Sequence, residues 1–580
     1  EKIKWWQNFY NSMGHRSVLS LFKPEALQPE HRSWASTHTG RSIFLVLGWD
    51  LSGITRCIQK SFGSNGIETM KDFFAKHQRW FVWMGLAVIL LFGAYLRLYK
   101  ISEYMTFLGD EGRDVLVVKR MIVDQKWTLL GPTASVGGFF LGPIYYYFML
   151  PFLWFWKLDP TGPAVMVALF GIATIYLVFR VGKDFFGDLA GLIAASLYAV
   201  SPVVIAYSRA SWNPNLVPFF STLLIYLLWR IVVKNRWSEL FWVGVVLGIG
   251  MQLHYLFLFL FVVGGVWFVL FGRSRGLLRY YLLGIAGFIV GYAPFLAFEL
   301  RHGFPNTQSI IRFVLMGKDT GYAAKQFFPN IVDVSIRLIG RLLLRFPQPE
   351  LWDAIAHWQR MSWLVAIYAI LMGGIGSMVQ VLTHKTKHRE AALLILLWFN
   401  VVLLLFGFYR RDIYDYYFGI FFALPFLLIG FFLSRLLSSN TYRALAVCIW
   451  LGLLVFNWQG RPFLYPPNNQ LGQAKMIAAE VLAKSEGKPF NFALVTGGNS
   501  DHAYRYFFEI WGNSPITIEN EVNDPARKTV TDQLIVLCEI SECKPLGHPL
   551  WEIAGFGPAQ IVGEWGVSFV KIMKLTHYKP

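Results

Sequence analysis

Gly109-Asp110-Glu111-Gly112-Arg113-Asp114 places four ionisable side chains together just beyond an apolar run that ends near position 99. Carboxylates beside a cation suit proton-transfer chemistry. A carboxylate about 2.6 to 3.2 Å from a weakly acidic hydroxyl takes its proton as that oxygen attacks an electrophile. Asp110 is the candidate general base, with Glu111 beside it, while Arg113 and Asp114 are candidate substrate contacts. The same stretch also reads as the charged first turn of an amphipathic helix through Val115 to Ile122, where the dipole favours acids.

Four further polar clusters interrupt apolar sequence. They are Ser208-Arg209-Ala210-Ser211-Trp212-Asn213-Pro214-Asn215; Gln252, His254 and Tyr255; Glu299-Leu300-Arg301-His302-Gly303-Phe304-Pro305-Asn306-Thr307; and Tyr409-Arg410-Arg411-Asp412 to Asp415-Tyr416-Tyr417. A guanidinium presents a planar, permanently charged fork to phosphate oxygens, so Arg113, Arg209, Arg301, Arg410 and Arg411 are candidates to hold a lipid phosphate. Arginines at span ends also snorkel to head groups or pair with a nearby acid. Trp212, Asn213, Asn215, His254, Tyr255, Glu299, His302, Asn306 and Tyr416 complete the candidate substrate-binding set. Glu299 has a second reading, as the partner of Arg301 or His302. No H-x-x-x-H or H-x-x-E-H spacing accompanies His254, so no metal site is expected.

These groups need elements to position them, and composition names the kind. The chain has 580 residues, 55% hydrophobic and 17% aromatic. Apolar stretches of roughly 18 to 22 residues recur from 81 to 457, each long enough to cross a bilayer as a helix. Candidate spans are 81 to 99, 163 to 182, 185 to 206, 214 to 233, 238 to 253, 254 to 272, 277 to 298, 362 to 383, 390 to 408, 414 to 435 and 441 to 457. The formal charge of +18 does not point to nucleic acid, because the basic residues cluster in short loops where they set membrane orientation. Arg180 and Lys183; Arg230, Lys234 and Arg236; Arg273, Arg275 and Arg279; and His384, Lys385, Lys387, His388 and Arg389 fall at alternate span ends. One assignment puts them all in the cytoplasm, which leaves every polar cluster described above outside.

Residues 139 to 157, containing Gly142-Pro143 and Pro151, look long enough to cross, yet a crossing there would reverse all later loops. They are read as re-entrant or lying along the outer interface, walling a cavity beside the acidic motif. The Tyr145-Tyr146-Tyr147 cluster with Trp154 and Trp156 reads as an interfacial aromatic belt, or as rings flanking a sugar or isoprenoid tail.

The expected fold is thus a polytopic α-helical membrane protein of about 11 to 13 spans with a small α/β C-terminal domain. Residues 1 to 80 form a cytoplasmic N-terminal extension, without the order of a signal peptide and with a short apolar run at Ile43 to Trp49. Residues 81 to 457 form the transmembrane domain, with outer loops 100 to 138 and 299 to 361. Residues 458 to 580 form an extracytoplasmic domain: a helix from Leu471 to Lys484, a strand from Phe490 to Thr496, a helix opened by Ser500-Asp501 and a strand from Leu534 to Cys538. Cys538 and Cys543 are a candidate disulfide or two free thiols, whereas Cys57 and Cys448 are placed where no bridge is expected.

An Asp-Glu pair in the first outer loop, an outer Arg209 after the Ser201-Pro202 helix, and a soluble outer C-terminal domain together resemble the GT-C superfamily of polyprenyl-phosphate-sugar-dependent glycosyltransferases. Within it the chain is similar to the bacterial branch of family 39, the protein mannosyltransferase and aminoarabinose transferase group. The resemblance covers 81 to about 457 and is carried by Gly109-Asp110-Glu111, Leu141-Gly142-Pro143, Arg209 to Asn215 and Arg301 to Thr307. It implies a plasma-membrane (inner-membrane) enzyme performing metal-independent, inverting transfer, without a cofactor, from a polyprenyl-phosphate sugar to a hydroxyl of a lipid, glycan or protein. It also implies Asp110 as base and Glu111 as the group orienting acceptor or sugar. Where family members carry a further acid after the Arg, Asn213 and Asn215 stand here. Two rivals remain: a transporter or flippase of lipid-linked glycans, which would bury ionisable groups near the midplane, and a non-catalytic envelope scaffold, which needs no Asp-Glu pair.

Overall fold

The computed structural model describes residues 77–578 apart from 135, 273, 274, 318, 385 and 387. The chain divides into two units, Glu1–Gly85 and Leu86–Pro580. The expected N-terminal extension, with Ile43 to Trp49 and Cys57, lies outside the described residues up to position 76, as do Arg273, Lys385 and Lys387 of the basic loops.

Each apolar run expected to span is helical. In chain order the main helices are α1 His77–Leu98, α2 Gly109–Val123, α3 Ile144–Phe155, α4 Thr161–Phe186, α5 Asp188–Val200, α6 Val217–Val233, α7 Leu240–Leu253, α8 Leu258–Phe271, α9 Leu278–His302, α10 Pro305–Leu315, α11 Ala324–Leu344, α12 His357–Thr383, α13 Arg389–Gly407, α14 Leu424–Ser438, α15 Arg443–Trp458, α16 Gln470–Ser485 and α17 His502–Ile510. Among the described residues six helices are individually long and apolar enough to cross a membrane, or seven if the pair Asp415–Phe421 and Leu424–Ser438, bent by 58°, is one span. The remaining expected spans are shorter apolar helices. At 14 residues α7 reaches about 21 Å, and 3-10 turns at Trp237–Glu239 and Tyr255–Phe257 lengthen α7 and α8 at their starts.

Close backbone approach holds α7 against α9. A Cβ on Gly244 would strike the Gly284 carbonyl, and one on Gly287 the Phe241 carbonyl. Apolar side chains gain little by leaving lipid for another apolar surface, so small residues that let backbones touch supply the packing.

The two ends of the bundle carry different groups. At one end Arg180 donates to the Tyr226 hydroxyl at 3.1 Å, that hydroxyl donates to Asp184 at 2.6 Å, Arg230 pairs with Glu239 at 2.5 Å, and His388 meets the Phe185 carbonyl at 2.5 Å. The acidic motif and the C-terminal domain share the other end. Helix α3 begins there, with Tyr146 bonded to Asp114 of α2 at 3.1 Å. The chain just past α3 is there too, with the Leu158 carbonyl accepting from Tyr506 of α17 at 2.5 Å. The 139–157 segment therefore returns to the face from which it sets out, and its 12-residue helix spans only about 18 Å.

The C-terminal domain is a four-stranded sheet, β1 Asn491–Val495, β2 Gln533–Cys538, β3 Ala559–Val567 and β4 Val570–His577, in the order β1-β2-β4-β3. β1 and β2 are parallel, pairing Asn491 with Leu534 through Val495 with Cys538, and the other pairs are antiparallel. Uninterrupted burial along β1 and β2 fits strands covered on both faces. The β3–β4 hairpin is an addition to the expected elements. Cys538 and Cys543 are disulfide-bonded, and Cys448 is free and exposed.

Candidate active site

The site is built on the first turn of α2. Leu108, which precedes it, has no side-chain oxygen to cap the helix, so two orphan amides find other acceptors. The Leu108 N–H donates to Glu111 Oε2 at 3.0 Å, and the Gly109 N–H donates to Asn499 Oδ1 of the C-terminal domain at 3.0 Å.

One turn of helix then sorts three carboxylates. Glu111 is 1% exposed and Asp114 fully buried, whereas the Asp110 side chain is 44% exposed. Arg113 ties the set together: Nη1 donates to Asp110 Oδ1 at 2.9 Å, while Nε and Nη2 donate to Asp114 Oδ1 at 2.9 and 2.7 Å. Burial pushes Glu111 up to about 8, aided by the negative charge of Asp110. Burial also pushes Asp114 up to about 6, against the pull of Arg113. Asp110 is thus the open carboxylate, held by a cation that a buried acid locks in place. Glu111, expected to orient acceptor or sugar, is buried and closes the helix start. Asp114, expected as a substrate contact, anchors Arg113.

Helix α3 links this acidic half to an aromatic half. Tyr146 bonds Asp114, and the adjacent Tyr145 hydroxyl meets Ser211 Oγ at 2.9 Å. Next to Ser211, Trp212 packs edge-on against Tyr416 with ring centres 4.6 Å apart. Tyr416 lies 5.9 Å from His254, and His254 stacks on Tyr255 at 4.7 Å. The Tyr255 hydroxyl meets those of Tyr409 at 2.9 Å and Tyr417 at 3.3 Å. The structure thus brings Trp212, His254, Tyr255 and Tyr416 into one cluster. Rings with polar edges can stack against a sugar or line an isoprenoid path.

Several expected substrate contacts are engaged in holding backbone. Arg209 is 2% exposed and donates to the carbonyls of Leu96, Tyr99 and Lys100 at 2.8, 2.8 and 3.4 Å, a cation at the negative end of α1. The rings of Tyr104 and Phe463, packed edge to face with centres 5.6 Å apart, lie 5.4 and 5.3 Å from its guanidinium. Asn213 donates to the Leu253 carbonyl at 2.6 Å and Asn215 to that of Ala210 at 2.8 Å. Glu299 accepts from Asn306 N, Asn306 Nδ2 and Thr307 N at 3.2, 2.9 and 2.8 Å, capping α10. Asn306 Oδ1 in turn accepts from Phe140 N at 2.8 Å. Arg209, Asn213, Glu299 and Asn306 are buried, and the hydrogen bonds they make go to protein groups, so each has a supporting role beside the substrate contact expected of it. Arg301 and His302 lie on the exposed end of α9. Arg410 is exposed and bonds the Gly321 and Tyr322 carbonyls, and Arg411 pairs with Asp319 at 2.6 Å. Sequence reasoning named Tyr145, Tyr146 and Ser211 without giving them partners and passed over Asn499. The tyrosines stand out in sequence only as an aromatic run, and Asn499 lies 390 residues from the amide it accepts.

The family model for dolichyl-phosphate-mannose-protein mannosyltransferase matches residues 142–298. No curated protein matches in sequence. In structure the chain is similar to the crystal structure of ArnT from Cupriavidus metallidurans bound to undecaprenyl phosphate, with a TM-score of 0.56 and 13% identity over 85% of this chain and 98% of that one. The apo state of the same protein gives 0.55 and 13% over 86% and 98%. At this identity the likeness is one of fold. The fold is that of the ArnT structures, the GT-C fold that the resemblance in sequence implies, here with a small C-terminal sheet domain.

Proposed function

We propose that this chain is an integral-membrane glycosyltransferase that moves a sugar from a polyprenyl-phosphate donor to an acceptor hydroxyl of a lipid, glycan or protein, with Asp110 as general base. The observation that carries the reading is the sorting of the acids on α2: Asp110 alone of the three carboxylates is open, and Arg113 fixes its Oδ1 at 2.9 Å. Support also comes from the fold and from the family match over 142–298.

In this reading the acceptor oxygen attacks the anomeric carbon as Asp110 takes its proton. The bond from that carbon to the phosphate oxygen breaks, and its electron pair leaves with the polyprenyl phosphate, inverting the anomeric centre. The leaving group is already an anion, so it calls for a cation rather than an acid. With Arg209 engaged by carbonyls, that cation is sought among Arg301, Arg410 and Arg411. The Trp212, Tyr416, His254 and Tyr255 cluster faces the sugar or the lipid tail. The end bearing the C-terminal domain is extracytoplasmic in this account, because the basic clusters gather at the opposite end.

Purified protein in lipid nanodiscs, given undecaprenyl-phosphate-linked hexoses and pentoses with a membrane lipid extract as acceptor, is expected to release undecaprenyl phosphate and glycosylate an extract component. Mass spectrometry reads both products. Absence of release with every donor, from protein that still binds the lipid, contradicts the reading in favour of a carrier.

A further inference from the structure

We infer that Asn499, in the C-terminal domain, is a positioning residue for Asp110, so that the helix carrying the base is capped by a residue 390 positions later in the chain. The inference rests on the proposed transfer reaction.

The first turn of α2 lacks a cap of its own, because Leu108 stands where a short polar residue serves. Asn499 supplies the missing acceptor: its Oδ1 takes the Gly109 N–H at 3.0 Å and the Ser500 N–H at 2.9 Å. Its Nδ2 donates to both oxygens of Glu539, at 3.1 and 3.3 Å. A carboxylate only accepts, which fixes the amide's orientation and turns its oxygen toward α2. Glu539 is steadied in turn by Thr496 Oγ1 at 2.6 Å and the Tyr504 hydroxyl at 2.7 Å, and its own N–H donates to the Val495 carbonyl at 2.9 Å. Thr496, Asn499 and Glu539 all lie just past the carboxyl ends of the parallel strands β1 and β2.

Two glycines let this loop and the start of α17 reach α2. A Cβ on Gly109 would strike Ser500, and one on Gly112 would strike the backbone of Ala503. The far end of α2 is fastened to the same domain: Lys119 meets Glu509 of α17 at 3.2 Å and Arg120 meets it at 2.8 Å. Asp110 therefore rides on a helix clamped at both ends by the C-terminal domain, next to the residue whose amide Asn499 holds. Displacement of a reacting group by about 1 Å costs on the order of 10²-fold in rate, so a lost cap is read in turnover rather than in donor binding.

The chain offers its own rescue. Asn499→Asp keeps a good capping oxygen but sets a carboxylate against Glu539, and Glu539→Gln in the same chain restores a donor for it. Release of undecaprenyl phosphate from an undecaprenyl-phosphate sugar is measured on the full-length parent, Asn499→Asp, Glu539→Gln and the double variant, together with donor affinity. Asn499→Asp is expected to turn over at least about ten-fold more slowly with parental donor affinity, and the double variant to regain most of the parental rate. A parental rate for Asn499→Asp overturns the inference, as does a double variant no faster than the single one. A parent that turns over no donor tells against the transfer reaction itself, which separates the two failures.

Discussion

Asp110 and Glu111 are neighbours with the same chemistry, yet the helix turns one outward and the other into protein, and that difference gives them separate parts. The buried Glu111 stays protonated to about 8 while its unfolded counterpart ionises near 4.5. Between those values the folded chain holds a proton that the unfolded chain has lost, so stability falls as pH rises through this window. Glu111→Gln keeps the shape and removes the titration. Its melting temperature in detergent is expected to be flatter than that of the parent between about pH 4.5 and 8, with transfer activity close to parental. An unchanged pH profile would show that Glu111 is ionised in the fold. The motif is legible in sequence because four ionisable groups beside an apolar run are costly without a use. Which carboxylate faces inward is not legible, since the phase of α2 is set by Tyr146, 32 residues from Asp114, and by the loop at Asn499, 390 residues from Gly109.

Among the elements, long apolar runs are the most readable feature, because about 20 apolar residues in succession have few stable states other than a helix in a bilayer. Helix α3 needs more, since its length alone suggests a crossing. The alternation of basic loops argues against one, and the bonds near its two ends, to Asp114 and Tyr506, lie on the same face. Single cysteines replacing Gln125 before α3 and Asp159 after it, in a chain without Cys57 and Cys448, are expected to react with an impermeant thiol reagent from the same side of sealed membranes. Labelling from opposite sides would make α3 a crossing helix and reverse every later loop. The arginines at the span ends illustrate what sequence leaves open. Arg209 and Arg410 read alike as phosphate grips, but Arg209 closes the carbonyl end of α1 while Arg410 lies exposed on a loop. Helix ends recruit whichever cation the fold delivers, and delivery is a tertiary property.

At the scale of the whole molecule, the described basic side chains at the ends of α4 and α6 and the start of α13 gather at one end, and the acidic motif, aromatic cluster and soluble domain at the other. The C-terminal domain is more than a neighbour in this arrangement. Its β1, β2, α16 and α17 are readable from strand and helix patterns, but their docking onto α2 depends on Gly109 and Gly112, whose lack of side chains says nothing in sequence about what fills the space. The central claim is that this assembly holds Asp110 as a base, and Asp110→Asn tests it most directly. The variant preserves size and can still accept from Arg113, and Asn is itself well tolerated in a first helical turn, so fold and donor binding are expected to persist. Transfer from an undecaprenyl-phosphate sugar is expected to fall by about 10² to 10⁴, with membrane yield and melting temperature near the parent's on the same preparation. Transfer at close to the parental rate by stable, donor-binding Asp110→Asn protein would contradict the account.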